Sequence, residues 1–339
     1  MHMAHALASN GHEVTLFAKL GDAMDRSVFD YYGLPQSFEL KLIPMSGRQS
    51  LARYLLSVYR AAKPDIAIGR YLYPLLLQSY RGIPVIYETH APEGRLKAHF
   101  ERQIMRRPSY CGTVFITDAL RTAYETISQG TECKTLVLPD AARDHGPPEP
   151  LHTQSRLQIG FAGSWHAGRG IGLLCDLARL LPDCEFHVAG GSREDLLQLG
   201  LQPPVNFHCR DFMPPAKVAE FLLAMDVLLA PYDQHVHTQT QHLDIGQYLS
   251  PMKLFEYMAA GRTIVASNLP VLREVLVDKK NCLLMADNDP ATWAAGITVL
   301  DKDRALAAEL ARTARVEFES RYTWRQRAQR YLSLFEPSH

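Results

Sequence analysis

The stretch SPMKLFEYMAAGRTIVASNLPVLREVL, Ser250–Leu276, passes from a capped helix into a buried strand and on to a second short helix. Ser250 is a strong N-cap type and Pro251 suits the first helical position, so the helix is expected to start there. Leu254, Phe255, Met258 and Ala259 recur at helical spacing and make one apolar face, and Gly261 suits the stop. Thr263–Ser267 is a short continuous apolar run, the pattern of a strand covered on both faces. A further short helix is expected after Pro270. Lys253 and Glu256 are three apart, which predicts one shared side of the helix, off the apolar stripe. Alone, such a pair reads as a surface ion pair worth under ~1 kcal/mol. The other reading starts from the helix N-terminus, whose free N–H groups and positive dipole end form a seat for phosphate.

Outward from this segment, short apolar runs alternate with helical patterns, which implies parallel α/β architecture. Upstream, strands are expected near His12–Ala18, Phe38–Pro44, Asp65–Gly69, Pro84–Glu88, Gly112–Ile116 and Thr135–Leu138. The clearest helices there are Gln49–Ala62 and Leu96–Arg107. Asp140–Arg156 is polar, proline-rich and without apolar periodicity, and reads as a linker. The alternation restarts with Leu157–Gly163, followed by strands near Glu185–Ala189, Val205–Cys209, Val227–Ala230 and Cys282–Met285. Helices Arg304–Ser320 and Trp324–Phe335 close the chain. The fold class expected is α/β with two doubly wound, Rossmann-like domains facing a cleft, where such domains bind ligands at the carboxyl ends of their strands. The expected domains are 1–145 and 157–320, with a terminal helical segment 321–339 that packs back across them; the ligand roles of the two domains follow from the resemblance given below. The chain opens with a helix, Met1–Ser9, so the first domain is expected to lack its usual first strand.

Composition narrows the function. The 339 residues suit two domains. Lys plus Arg and Asp plus Glu are 36 each, so no global field favours nucleic acid. Six cysteines without a CxxC pair read as reduced thiols, and with no leader pattern or long apolar run the expected location is cytoplasmic. The absence of GxGxxG after an early strand disfavours a dehydrogenase.

SPMKLFEYMAAG resembles glycosyltransferase family 4, in the subset whose donor motif reads SP-x-KLFEYMA-x-G. Gly160–Ile171, Phe207–Tyr232, Gly11–Lys19, Val85–Arg95 and Arg321–Phe335 resemble other elements of that family, strongest from Gly160 to Leu276. The resemblance implies a GT-B fold and transfer of a sugar from a nucleoside diphosphate sugar to a hydroxyl acceptor with retention of configuration. It implies that Glu256 grips the donor ribose hydroxyls and that Ser250, Lys253 and Leu254, with their amides, sit by the diphosphate. The family's Arg and Lys clamp in the strand-turn Gly163–Gly170 aligns with Ser164 and Arg169, so one cation is kept in altered form and one is lost. The first of the family's two glutamates eight apart is replaced by Tyr248. His90, at the end of the predicted strand Pro84–Glu88, matches the histidine that approaches the donor sugar, and is otherwise a polar loop residue. Glu93 lies nearby.

No DxD-type carboxylate cluster is apparent, and fixed cations with a helix N-terminus can stabilise the leaving group, so metal independence is expected and no cofactor besides the nucleoside diphosphate sugar as co-substrate. The acceptor class stays open: a glycan, a lipid-linked or a small-molecule hydroxyl. His235, His237 and His242 read as a solvated loop, with a zinc site as the lesser alternative. Arg95, Lys97, Arg102, Arg106 and Arg107 read as a solvated helix face, or else as a peripheral contact with anionic lipid. Two further functions compete: an inactive or truncated nucleotide-sugar-binding protein, and a GT-B-like nucleotide-sugar epimerase.

Overall fold

The computed structural model describes residues 1–20, 27–44, 50–92, 95–127, 134–147, 156–236 and 244–335, with backbone alone at 95–97 and 125–127. The chain divides into two compact units, Met1–Pro139 with Trp324–His339, and Asp140–Thr323. The terminal segment from Trp324 is grouped with the first unit.

In the first unit the order is α1 (His2–Ser9), β1 (Thr15–Leu20), α2 (Val28–Tyr32), β2 (Glu39–Pro44), α3 (Ser50–Arg60), β3 (Ala67–Gly69), α4 (Leu72–Tyr80), β4 (Val85–Thr89), α5 (Arg95–Met105), β5 (Tyr110–Phe115), α6 (Asp118–Ile127) and β6 (Thr135–Val137). Strands β1 and β2 pair with each other, and β3-β4-β5-β6 form a four-stranded sheet, all parallel. The N-terminal helix predicted from sequence is present. The interior strand β4 is buried at every position, as a strand flanked on both sides requires. Its Ile86 packs with Val114, Leu138 and Tyr331.

The second unit runs β7 (Gln158–Ala162), α7 (Ile171–Leu180), β8 (Glu185–Ala189), α8 (Arg193–Gln198), β9 (Phe207–Arg210), α9 (Pro215–Leu223), β10 (Val227–Ala230), α10 (Met252–Ala259), β11 (Thr263–Ser267), a 3₁₀ turn (Leu272–Glu274), β12 (Leu283–Met285), α11 (Pro290–Lys302) and α12 (Arg304–Arg321). Helix α13 (Trp324–Leu332) then returns to the first unit. The six strands are parallel in the order β12-β11-β10-β7-β8-β9. The first strand of the unit lies in the middle and the order reverses between β7 and β10. That reversal is the switch point at which open α/β sheets bind ligands. A core of Leu174, Phe186, Val227, Trp293 and Ile297 seals the sheet against its helices.

Candidate functional site

Helix α10 is held by its own Tyr257. The buried hydroxyl accepts from the Ala162 amide (3.1 Å) and donates to the Leu229 carbonyl (3.2 Å), bridging the ends of β7 and β10. Lys253 lies one helical turn before Tyr257, so it points the same way. The expectation of a lysine off the apolar stripe is corrected: Lys253 is only 7% exposed. Its ammonium sits 3.8 Å from the centroid of the Phe161 ring and 5.0 Å from that of Tyr232. It has no hydrogen-bond partner among the described residues. Burial pushes the Lys253 pKa well below its usual value, Arg169 adds to the shift and Glu256 opposes it. Glu256 is partly buried on the neighbouring side, and burial raises its pKa against the pull of Lys253. The two do not close an ion pair among the described residues.

The loop after β7 wraps this lysine. A Cβ on Gly163 would lie 2.9 Å from the Lys253 ammonium, so only glycine leaves it room. Gly170, at φ 72°, is the N-cap of α7 and backs onto the Pro231 carbonyl, which a Cβ would meet at 2.3 Å. Between them Arg169, which acts electrostatically on both Lys253 and Tyr232, holds its Nε buried without a partner, while the unpaired Trp165 Nε1 lies towards Gly190 at the end of β8. Ser164 is partly buried in the same turn. Tyr232, just past β10, is the third side of the cluster: its hydroxyl is buried and unpaired, and burial drives its pKa far up. Unpaired buried polar groups cost about 1–3 kcal/mol each, and several in one place mark a site awaiting a partner. Cationic and neutral donors converge here, so the partner they fit is an anion.

The start of α10 also differs from expectation. Pro251, not Ser250, is the N-cap, and it has no side chain to bond. The Ser250 hydroxyl instead accepts from the Asp140 amide at 3.0 Å. The Leu254 amide is taken by the Pro251 carbonyl at 3.0 Å, and its side chain is core. The amides of Met252 and Lys253 have no partner among the described residues.

In the first unit His90 follows β4 directly, and its Nε2 is 2.7 Å from Glu88 Oε1. Glu88 is 4% exposed and collects three further donors: Arg70 Nε on Oε1 (2.6 Å), and Arg327 Nη2 (2.9 Å) and the Tyr331 hydroxyl on Oε2. Burial alone would raise the Glu88 pKa; Arg327, the His90 bond and Arg70 hold it well below the carboxylate range. Glu93, His237 and His242 lie outside the described residues. His235 pairs with Asp244 at 2.6 Å, and among the described residues no three metal-ligating groups converge. Of the basic helix, Arg107 is stacked on Tyr80 at 3.8 Å, while the side chains of Arg95 and Lys97 are not described. No described helix is long and apolar enough to cross a membrane.

Sequence reading missed Tyr232 and Glu88. Tyr232 carried a weak signal, a polar-ended aromatic directly after a buried strand. Glu88 carried a stronger one, an acid inside an otherwise apolar run.

Two family models match the chain. Residues 1–128 match Glycosyltransferase Family 4 and residues 156–303 match Glycosyl transferases group 1. No curated protein sequence matches. Among solved structures, the chain is similar to Anabaena HepE in complex with UDP and glucose, at TM-score 0.71 and 15% identity over 98% of this chain and 95% of that one. Sucrose-phosphate synthase from Thermosynechococcus elongatus gives TM-score 0.70 at 15% identity over 98% and 90%. WaaG, a glycosyltransferase involved in lipopolysaccharide biosynthesis, gives 0.62 at 16% over 99% and 95%. These likenesses establish a GT-B-like fold of two α/β domains with parallel sheets.

Proposed function

We propose that this chain, which carries the two domains of a GT4-like glycosyltransferase, transfers a sugar from a uridine diphosphate sugar to a hydroxyl of a glycan acceptor, retaining the anomeric configuration and needing no metal ion. One observation carries the reading: at the switch point of the second sheet, the buried Lys253 ammonium and the Arg169 Nε are electrostatically coupled and both lack a hydrogen-bond partner among the described residues. A diphosphate supplies the charge those groups lack. The uridine and the sugar are supported by HepE, whose solved complexes carry UDP and UDP-glucose.

Glu256 is assigned to the ribose hydroxyls, since a carboxylate accepts two hydrogen bonds at once. Lys253, Arg169, the Ser164 hydroxyl and the open amides of Met252 and Lys253 are assigned to the diphosphate. Ser250 and Leu254 support that turn, through the Asp140 amide and the core respectively. His90 is assigned to the donor sugar on the strength of the family resemblance and its place at the carboxyl end of β4. In the reaction, the bond from C1 to the diphosphate oxygen breaks and a bond to the acceptor oxygen forms on the same face. The acceptor proton passes to the departing diphosphate. Charge grows on that group, and fixed cations with helix amides oppose it without reorganising.

The test is ligand stabilisation followed by turnover. UDP-glucose at 100 times its Kd should stabilise the chain by about 2.7 kcal/mol, and GDP, ADP and dTDP sugars should do less. K253A should lower kcat about 10²- to 10³-fold, the usual loss for one such donor. E256A should lose the stabilisation. Transfer should persist in EDTA, and the sugar released from UDP-glucose should appear first as the α anomer in proton NMR. An E256A variant that binds UDP as wild type does would remove the ribose assignment. Binding without turnover would make the chain a nucleotide-sugar-binding protein instead.

A further inference from the structure

Glu88 has no assigned part in the transfer, yet it is nearly buried and accepts from four donors. We propose that Glu88 is the positioning residue of His90: it grips the imidazole through Nε2 and so presents Nδ1 as the acceptor for a hydroxyl of the donor sugar. The inference rests on the assignment of His90 to that sugar.

The geometry carries it. A carboxylate has about four lone-pair sites, and here all four are engaged, two on each oxygen. Oε2 faces inward, to Arg327 and Tyr331 of α13. Arg327 is fixed in turn, its Nε donating to the Pro139 carbonyl at 2.9 Å. Oε1 faces the strand end, where it meets His90 and Arg70, whose side chains are 31% and 57% exposed. A carboxylate that served packing alone would need only the inward pair. An ionised carboxylate accepts and never donates, so the proton of the bond sits on His90 Nε2. In the neutral imidazole that leaves the lone pair on Nδ1, which has no partner among the described residues. Among the described residues the charged groups that act on Glu88 beside His90 are Arg327 and Arg70, and Arg70 also acts on the Met1 amino group. The two guanidiniums already more than offset the single carboxylate charge, so its bond to the imidazole orients the ring rather than neutralising a charge. A third group that fixes the tautomer of a working histidine is a recurrent device.

A double-mutant cycle on UDP-glucose turnover tests this. H90A and E88Q should each lower kcat, by about tenfold or more as misplaced groups do, with the Kd for UDP unchanged. E88Q keeps the volume but turns an amide N–H toward donors. The E88Q/H90A double variant should be no slower than H90A, because Glu88 then has nothing to act through. Multiplying effects, or an E88Q variant with wild-type kcat, overturn the positioning role and leave the His90 assignment standing. An H90A variant with wild-type kcat removes both. Should E88Q not fold, histidine-labelled ¹⁵N NMR of the wild type decides, with the His90 signals assigned by their loss in H90A. A single Nε2–H tautomer with a slowly exchanging proton supports the inference; an Nδ1–H form or an averaged mixture overturns it.

Discussion

At the scale of one residue, Lys253 shows how far a pattern can be misread from spacing. Three positions separate it from Glu256, and spacing alone puts both on an exposed flank. Four positions separate it from Tyr257, and the bonds of Tyr257 to Ala162 and Leu229 decide the orientation. A buried ammonium without a partner favours its neutral form, which is why its pKa falls. A diphosphate beside it favours the charged form and raises that pKa again. UDP binding should therefore take up protons in the pH range where the unliganded lysine is neutral. Calorimetry in buffers of different ionisation enthalpy reads the uptake directly, and K253M should abolish it. The same shift acts on folding: the unfolded lysine charges below its ordinary pKa of ~10.4 while the folded one resists. This residue's contribution to stability is thus present above that pH and lost as pH falls through the folded value.

At the scale of the element, α10 has eight residues, too few to stand alone in water. Its sequence predicts a helix because its apolar positions recur with helical period, and a helix is what forms. What the sequence left out is its anchoring. Arg315 of α12, nearly buried, donates to the Ala259 carbonyl at the end of α10 (2.6 Å) and to Asp144 (2.6 Å). A cation at a helix C-terminus satisfies an open carbonyl and opposes the dipole. R315A should lower the unfolding free energy by about 1.5–3 kcal/mol, the range for hydrogen bonds to charged groups, as read from denaturant midpoints at unchanged slope. The one-residue shift of the cap, from Ser250 to Pro251, has the same origin. Ser250 finds a tertiary partner in the Asp140 amide, 110 positions away, and local capping loses to it.

At the scale of the whole molecule, the first unit is built from two stretches far apart in sequence. Helix α13 follows the entire second unit yet supplies Arg327 and Tyr331 to Glu88, and its Trp324 stacks on His2 at 5.8 Å. A chain ending at Thr323 would strip Arg327 and Tyr331 from Oε2 and leave Glu88 with Arg70 and His90 alone, and breaking a buried pair by removing one partner costs about 3–5 kcal/mol. Such a truncation should lose cooperative melting of the first unit, while the second keeps its UDP-dependent stabilisation. Retention of both transitions in calorimetry would show that the clamp is dispensable. The strand alternation, the α/β fold class and the helix that carries Lys253 and Glu256 were legible in the sequence. They depend on hydrophobic period and local backbone preference, which neighbouring residues determine. The inward turn of Lys253, the unpaired Tyr232 hydroxyl and the clamp on Glu88 were settled only in the folded chain. Each depends on which groups are desolvated together across long sequence separations, and no local pattern encodes that.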